Sequence, residues 1–468
     1  MKSATIILSA LGCITTPLWA GDYTNFIIIN LDDAGYGDFS FNGAYGYNTP
    51  NIDRMAAEGM RFTHFLVAQA ISGASRAGLL TGCYPNRIGM TGAPGPNSPT
   101  GIHPDEMTLG ELLKQNGYAT AIFGKWHLGD AQQFLPLQNG FDEYYGLPYS
   151  NDMWNRDPET KAPRQPLYDG NIVKELNTDQ SQLTTTYTQR AVSFIKKNRR
   201  APFFIYLAHS MPHVPLAVSE KFKGKSEQGL YGDVMMEIDW SVGEILKALK
   251  ELKLEKNTLV ILTSDNGPWA NYGNHAGSAG GLREAKATTF DGGNRVPCVM
   301  YWKGNISPGT TCNKLVSNID IFPTLAELSK ASLPKHKIDG VSIVPLMEGV
   351  RDINPRESFV YYFNKNDLEA VTDGNFKLIF PHRHATYGAF PPGNDGVGGK
   401  RPVIELTKAE LYDLRRDPGE RYDVIEQYPE IVNKLNAIAD KMRKELGDNL
   451  TQTTGNGQRT PGYAKDYQ

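Results

Sequence analysis

Cysteine is scarce: the 468-residue chain has four, Cys13, Cys83, Cys298 and Cys312. Cys13 falls in the leader described below, and the three that remain cannot all pair, so a disulfide framework is excluded. A single bridge, such as Cys298 with Cys312, is the most they allow. A surplus of positive charge is missing as well. The 48 Lys and Arg stand against 51 Asp and Glu, a formal charge of -3. Without a concentrated basic field nucleic acid is excluded as a partner, and any acidic substrate must be met by a few local cations. Long apolar runs are also absent. The nearest approach is the N-terminal MKSATIILSALGCITTPLWA, with one Lys, a short apolar stretch broken at Pro17 and a small residue before GDYTN. That is the layout of a cleaved export signal with its cut after Ala20, and not of a membrane span. Cys13 in ALGC leaves a lipoprotein anchor as the secondary alternative. Export implies a periplasmic or secreted protein. No internal repeat or low-complexity tract is evident.

What the chain does have is alternation. The apolar runs FIIINL (26–31), YATAIF (118–123), FFIYLA (203–208) and TLVILTS (258–264) are separated by helical patterns. These are NIDRMAAEG, TLGELLKQNG, TTTYTQRAVSFIKKN and the stretch from Val234 to Leu252. Continuous apolar strands between helices predict an α/β fold with a mostly parallel central sheet flanked by helices. Near residue 350 the pattern changes to shorter runs, SFVYYF and FKLIF, a Gly/Pro-rich loop AFPPGNDGVGGK, and a helix from about 429 to 446. The expected organisation is a signal at 1–20, a catalytic domain at 21–350 and a smaller C-terminal α+β subdomain at 351–468. The polar tail after Leu450 is expected to be loosely held.

Polar clusters follow the strands, where open parallel sheets gather their active sites. LDDAGYGD (31–38) sets Asp32 beside Asp33, two carboxylates that repel unless a cation or proton lies between them. TSDNGPW (263–269) offers Asp265 and Asn266, hard oxygen donors before a glycine turn. Either stretch alone is an ordinary turn. On neighbouring strands, their four oxygen-bearing side chains converge on one Ca²⁺ or, less well, Mg²⁺, and the lack of a histidine there disfavours zinc. FGKWHLGD (123–130) carries Lys125 and His127, and YLAHSMPHVP (206–215) carries His209 and His213. A lone histidine is more often structural than catalytic. Lys286 lies in the glycine-punctuated GGLREAKATTFDGGNRVP (280–297). Finally SGASRAGLLTG (72–82) places Ser72 four residues before Arg76. This is either an exposed helix N-terminus or a nucleophile with a cation beside it.

Taken in order, LDDAGYGD, TPNIDRMAAEGMRF, SGASRAGLLTG, GYATAIFGKWHLGD, HSMPHVP, TSDNGP, LREAKATTFDGGNRVP and ELYDLRRDPGER resemble the type I, formylglycine-dependent sulfatases, from about residue 24 to 425. The resemblance implies an alkaline-phosphatase-like fold and hydrolysis of a sulfuric ester. In the family signature a Cys or Ser, followed by Pro or Ala two residues later and Arg two after that, is oxidised to formylglycine; Ser72, Ala74 and Arg76 match it. A serine there belongs either to a serine-type enzyme matured by a formylglycine-generating partner or to a Cys→Ser change. By the same resemblance the hydrated aldehyde at 72 attacks sulfur beside a calcium ion held by Asp32, Asp33, Asp265, Asn266 and residue 72 itself. Arg76 and Lys125 position it. His213 and Lys286 contact the sulfate and protonate the leaving alcohol, and His127 takes the proton that regenerates the aldehyde. The sequence departs from many relatives at Glu284 and Ala285, which stand where they have a glycine pair.

The implied substrate is a sulfated saccharide of galactose or hexosamine type. Loops at 144–154, 271–275 and 381–387 are expected to line the sugar pocket, with Trp154, His275, His382 and Arg383 as binding candidates beside Lys125, His213 and Lys286. Two alternatives stand: a phosphoesterase or phosphonate hydrolase of the same superfamily, whose zinc-dependent branch needs histidines in place of Asn266, and a non-catalytic binder of sulfated glycans if Ser72 stays unmodified.

Overall fold

The computed structural model describes residues 23–153 and 164–464. The expected export signal and Trp154 lie outside the described residues. At the centre is a ten-stranded sheet. Its middle five strands run parallel in the order Thr258–Ser264, Asn25–Leu31, Phe203–Ala208, Ala119–Gly124 and Glu143–Gly146. Every residue of Asn25–Leu31, Phe203–Ala208 and Thr258–Ser264 is buried. This is why those strands read as unbroken apolar runs: both faces of the sheet are covered. Alternate side chains serve opposite cores. Ile27, Ile29 and Leu31 pack with Tyr187, Phe194, Val234 and Ile238 of the helices Leu183–Lys197 and Leu230–Glu251. Phe26 and Ile28 pack on the other side with Leu80, Leu112 and Phe322 of the helices Ser72–Thr81, Leu109–Gln115 and Ile321–Ser329.

The flanks are antiparallel. Cys298–Tyr301 pairs antiparallel with Thr258–Ser264 and with Met60–Phe62, and Thr310–Cys312 follows parallel to Met60–Phe62. This order corrects the suggested disulfide. Cys298 and Cys312 both register with Phe62, from its two sides. They are therefore two strand spacings apart, roughly 10 Å, well beyond the ~7 Å a disulfide can bridge. Cys83, Cys298 and Cys312 are all free and buried.

The C-terminal lobe is a four-stranded antiparallel sheet of Phe359–Phe363, Asp367–Thr372, Phe376–Ile379 and Glu410–Asp413. The helix Pro429–Leu446 seals it with Leu435, Ala439 and Leu446. A separate hairpin, His382–Ala385 with Val403–Leu406, rises from the lobe. The tail is not loose over its described part. Gly462–Tyr463 pairs with Thr100–Gly101 of the N-terminal lobe, and Arg459 grips Glu106 with Nη2 2.8 Å from Oε2. Among the described residues no helix is long and apolar enough to cross a membrane.

Candidate active site

Because four of the parallel strands are neighbours, their carboxyl ends deliver four sequence motifs to one place. Asp32 and Asp33 follow Asn25–Leu31, Lys125 follows Ala119–Gly124, His213 lies beyond Phe203–Ala208, and Asp265 and Asn266 follow Thr258–Ser264. Asp33 and His127 both take φ near +67°, at 66° and 67°. Non-glycine residues rarely adopt this conformation, and it persists here in buried turns held by their surroundings.

Ser72 is the first residue of the helix Ser72–Thr81 and is buried. Its Oγ donates to Asp32 Oδ1 at 3.0 Å and lies 3.4 Å from Asn266 Oδ1. One turn on, Arg76 is wholly enclosed. Its Nε and Nη2 reach Asp265 Oδ2 at 2.8 Å each, and Nη1 donates to the Lys125 carbonyl at 3.0 Å. The spacing of Ser72 and Arg76 therefore serves the site and not an exposed helix end. Lys125 Nζ bonds Asp32 Oδ2 at 2.5 Å and Ser150 Oγ at 3.2 Å. Lys286 Nζ sits 2.8 Å from each oxygen of Asp33, and His213 Nε2 lies 3.5 Å from Asp33 Oδ2. Asn266 donates Nδ2 to Asp33 Oδ1 at 2.7 Å and to the Gly267 carbonyl at 2.8 Å, which turns its Oδ1 toward Ser72.

Burial pushes the Asp32 carboxyl up and the Lys125 ammonium down, but each charge answers the other: Lys125, His213 and Arg76 together hold Asp32 below the ordinary carboxylate value. Lys286 ends above the usual ammonium value, because the attraction of Asp33 and Asp32 outweighs its burial. His127 is the opposite case. Burial, then Lys125, Arg76, Lys286 and His213, drive it well below the ordinary imidazole value, and neither ring nitrogen has a hydrogen-bond partner among the described residues. It is a neutral base facing cations.

The donor set fits a hard divalent ion. Ligand atoms of Asp32, Asp33 and His213 lie within 4.8 Å of one another. The oxygen set of Asp32, Asp33, Asp265 and Asn266 is chemically the better holder, since Asp32 Oδ1 and Asn266 Oδ1 face the same hydroxyl with one proton between them, while His213 stands with Lys286 on the cationic side of Asp33. Asp32, Asp33, Asp265 and the half-buried Asp152 stand against Arg76, Lys125 and Lys286, so a divalent cation and an anionic ester can enter together without leaving a large unpaired charge.

The rim candidates fare differently. His382 is buried, with Nδ1 2.7 Å from the Phe380 carbonyl and Nε2 3.3 Å from Glu369 Oε2. This corrects its expected place on the sugar pocket: the hairpin strand alternates, and His382 and His384 point inward against Phe290 while Arg383 faces solvent opposite Glu405. His275 ends the 3-10 helix Ala270–His275 and rests on the Gly396 turn, where an added Cβ would come within 3.3 Å of its Nδ1. His209 bonds Ser241 Oγ at 3.1 Å, and burial pushes it down to about 3, in keeping with no catalytic role.

Sequence reasoning missed three contributors. Ser150 anchors Lys125 and was legible only as part of a loop. Trp269 packs its ring 5.5 Å from that of His213, with Lys286 Nζ 4.4 Å above its centre. Glu284, marked only as a departure, takes φ 57° and accepts from Thr386 Oγ1 at 2.7 Å and the Tyr387 amide at 2.8 Å; the Tyr387 hydroxyl donates to the Lys286 carbonyl at 2.6 Å. The residue in place of glycine thus clamps the C-terminal hairpin onto the lysine loop.

A buried hydroxyl at a helix N-terminus, ringed by cations and hard oxygen donors, defines a hydrolytic site for a tetrahedral anion. Comparison with known proteins narrows the class. The sulfatase family model matches residues 24–331, and the model for the C-terminal region of aryl-sulfatase matches 354–462. The chain is 37% identical to an N-acetylgalactosamine-6-sulfatase of Mus musculus over 94% of this chain and 90% of that one. It is 36% identical to arylsulfatase A of Homo sapiens over 86% and 83%. Among solved structures, the PsFucS1 sulfatase from Pseudoalteromonas sp. superposes with a TM-score of 0.82 at 26% identity, covering 90% of each chain. Ps i-CgsB in complex with k-i-k-neocarrahexaose gives 0.73 at 28%, over 90% and 92%. The chain belongs to the sulfatase family and is a sulfuric ester hydrolase.

Proposed function

We propose that the chain removes sulfate from a galactose- or hexosamine-type unit of a sulfated glycan, with residue 72 as nucleophile. The observation that carries this reading is Ser72 Oγ, buried between Asp32 Oδ1 and Asn266 Oδ1 at 3.0 and 3.4 Å, with Arg76, Lys125, His213 and Lys286 gathered around the same carboxylates. The relatives' names, an N-acetylgalactosamine-6-sulfatase and a structure holding a carrageenan oligosaccharide, support the sugar class.

Ca²⁺ is the metal that Asp32, Asp33, Asp265 and Asn266 would hold, where it would polarise the nucleophile and a sulfuryl oxygen. Formylglycine formed from residue 72 would supply, when hydrated, a second hydroxyl that an ordinary serine lacks. The chain's own residues do the rest. Arg76 and Lys125 fix the oxygen set and offset negative charge on the ester. Lys286 and His213, on the cationic side of Asp33, bind the sulfate and protonate the departing alcohol oxygen. His127, neutral and unpartnered, accepts a proton near residue 72. Trp269 shields His213 and Lys286 from water on one side.

The test pairs two readouts on matured protein: intact mass, which falls by about two units when a serine loses two hydrogens on oxidation to the aldehyde, and free sulfate released from N-acetylgalactosamine 6-sulfate and related saccharides. Converted protein that releases phosphate but no sulfate would favour the phosphoesterase reading. Protein that stays at the serine mass and binds without turnover would favour the glycan binder.

A further inference from the structure

Between the two lobes lies a cavity of about 1270 Å³ whose walls include none of the residues around Ser72. Its volume exceeds the ~300–1,000 Å³ usual for small-molecule pockets, which suits an extended ligand better than a single ion. Six cations line it: Arg295 and Lys314 from the catalytic lobe, and Arg356, Arg415, Lys434 and Lys441 from the C-terminal lobe. The carboxylates on its wall are two, Glu357 and Asp373.

Pairing offsets four of these cations. Arg356 is saturated by Asp320 and by main-chain carbonyls, and Lys434 is met by Asp373. Arg295 and Arg415 pair with Asp291 and Asp413, which are not among the lining residues. Lys314 and Lys441 pair with no carboxylate among the described residues. His64 and Arg295 border the cleft at 6% and 8% exposure. Tyr36 adds an aromatic face on which a sugar ring can stack.

We propose that this cleft is a second, non-catalytic binding site for an anionic saccharide chain, one that holds a polymeric substrate while the Ser72 site works on a terminal or neighbouring unit. The choice of a sulfated chain rests on the function proposed above; the cationic cleft does not. The probe is a chondroitin 6-sulfate hexasaccharide, titrated calorimetrically into full-length Ser72→Ala protein, alone and with Lys314→Glu and Lys441→Glu added. Both lysines are at the surface and outside the Ser72 cluster.

The expected result is that the charge-reversed protein loses one binding event or at least tenfold in affinity. In the Ser72 background the same two changes should leave sulfate release from N-acetylgalactosamine 6-sulfate within twofold and raise KM at least fivefold on the polymer. A hyaluronan hexasaccharide, which carries carboxylates and no sulfate, should bind more weakly. Unchanged binding and unchanged polymer KM in the charge-reversed protein would overturn the site, and equal binding of hyaluronan would overturn its assignment to sulfated chains. Failure of the sulfatase reading would appear separately, as absence of release from the monosaccharide by converted wild-type protein.

Discussion

Asp265 places one oxygen on the Asp33 amide at 3.2 Å and the other on Arg76 at 2.8 Å, so its carboxylate orders both the ligand pair and the cation behind residue 72. Asp265→Asn keeps the shape and removes the charge. The variant leaves the enclosed Arg76 with Asp32 alone and should melt at a lower temperature; the folded protein should lose stoichiometric calcium and release sulfate at least 100-fold more slowly, as checked by metal analysis alongside a sulfate assay, since a metal site supplies several kcal/mol of transition-state stabilisation. Retained calcium with unimpaired turnover would remove Asp265 from the metal site. His127 is a different kind of residue. It holds no carboxylate, and its ring nitrogens have no hydrogen-bond partner among the described residues, yet it is buried beside Lys125 and Arg76. If it moves a proton, His127→Ala should lower kcat by about 10²–10⁴-fold with KM little changed. A structural histidine would instead show itself in the melting temperature. That Asp32, Lys125, His213 and Asp265 lie at one end of the sheet was legible because all four follow apolar strands; their roles came only with the resemblance to the sulfatases. Ser150 was not legible, because its meaning depends on a lysine 25 residues away in sequence arriving at 3.2 Å.

At the scale of elements, the parallel strands were the most legible part of the fold. Phe203–Ala208 and Thr258–Ser264 coincide with the apolar runs, because a strand buried on both faces has no polar position to blur its ends. The hairpin His382–Leu406 was the least legible. Its alternation decides which of His382 and Arg383 points outward, and a period of two shifts every side chain to the other face with one step of register. The same hairpin makes a prediction. Glu284 fastens it through Thr386 and Tyr387, and Tyr387 in turn bonds the Lys286 carbonyl. Glu284→Ala should loosen this clamp and lower kcat/KM about tenfold, equivalent to roughly 1.4 kcal/mol, while the protein stays folded and converted. Thr386→Val, which removes one of the two bonds, should cost less. Equal activity in Glu284→Ala and wild type would show that Lys286 is placed without help from the C-terminal lobe.

The molecule as a whole is joined by buried charge. Lys377 of the C-terminal lobe reaches Asp291 of the catalytic lobe at 2.9 Å and Glu420 at 2.7 Å, all three fully enclosed. Lys377→Met would leave Glu420 without its cation and Asp291 with Arg295 alone, and a broken buried pair costs about 3–5 kcal/mol, so calorimetry should record a clear fall in melting temperature. Nearby, burial pushes the Glu369 carboxyl up to about 8, and His382 is pushed down to about 4, chiefly by burial. A protonated Glu369 can donate to the neutral His382 Nε2. In the folded state Glu369 thus binds more protons than in the unfolded chain between its ordinary value and about 8, and its contribution to stability is lost as pH rises through that window. The lowered histidines act in the opposite sense below about pH 6.5. Asp38 and Glu420, whose carboxyls burial pushes up to about 7, add to the decline between about pH 6.5 and 8, so Glu369→Gln should lessen its slope in melting curves without abolishing it. None of this interlobe wiring, nor the docking of Arg459 onto Glu106, was visible in the sequence, where polar residues far apart carry no sign of their partners. The proposed chemistry turns on residue 72 and the oxygen-bearing side chains beside it. The measurement that tests it most directly is free sulfate released from N-acetylgalactosamine 6-sulfate by fully converted protein before chelation, after chelation and after calcium is returned. Release should stop with the chelator and recover with calcium, and should be absent at the serine mass; undiminished release by chelated or unconverted protein would contradict the account.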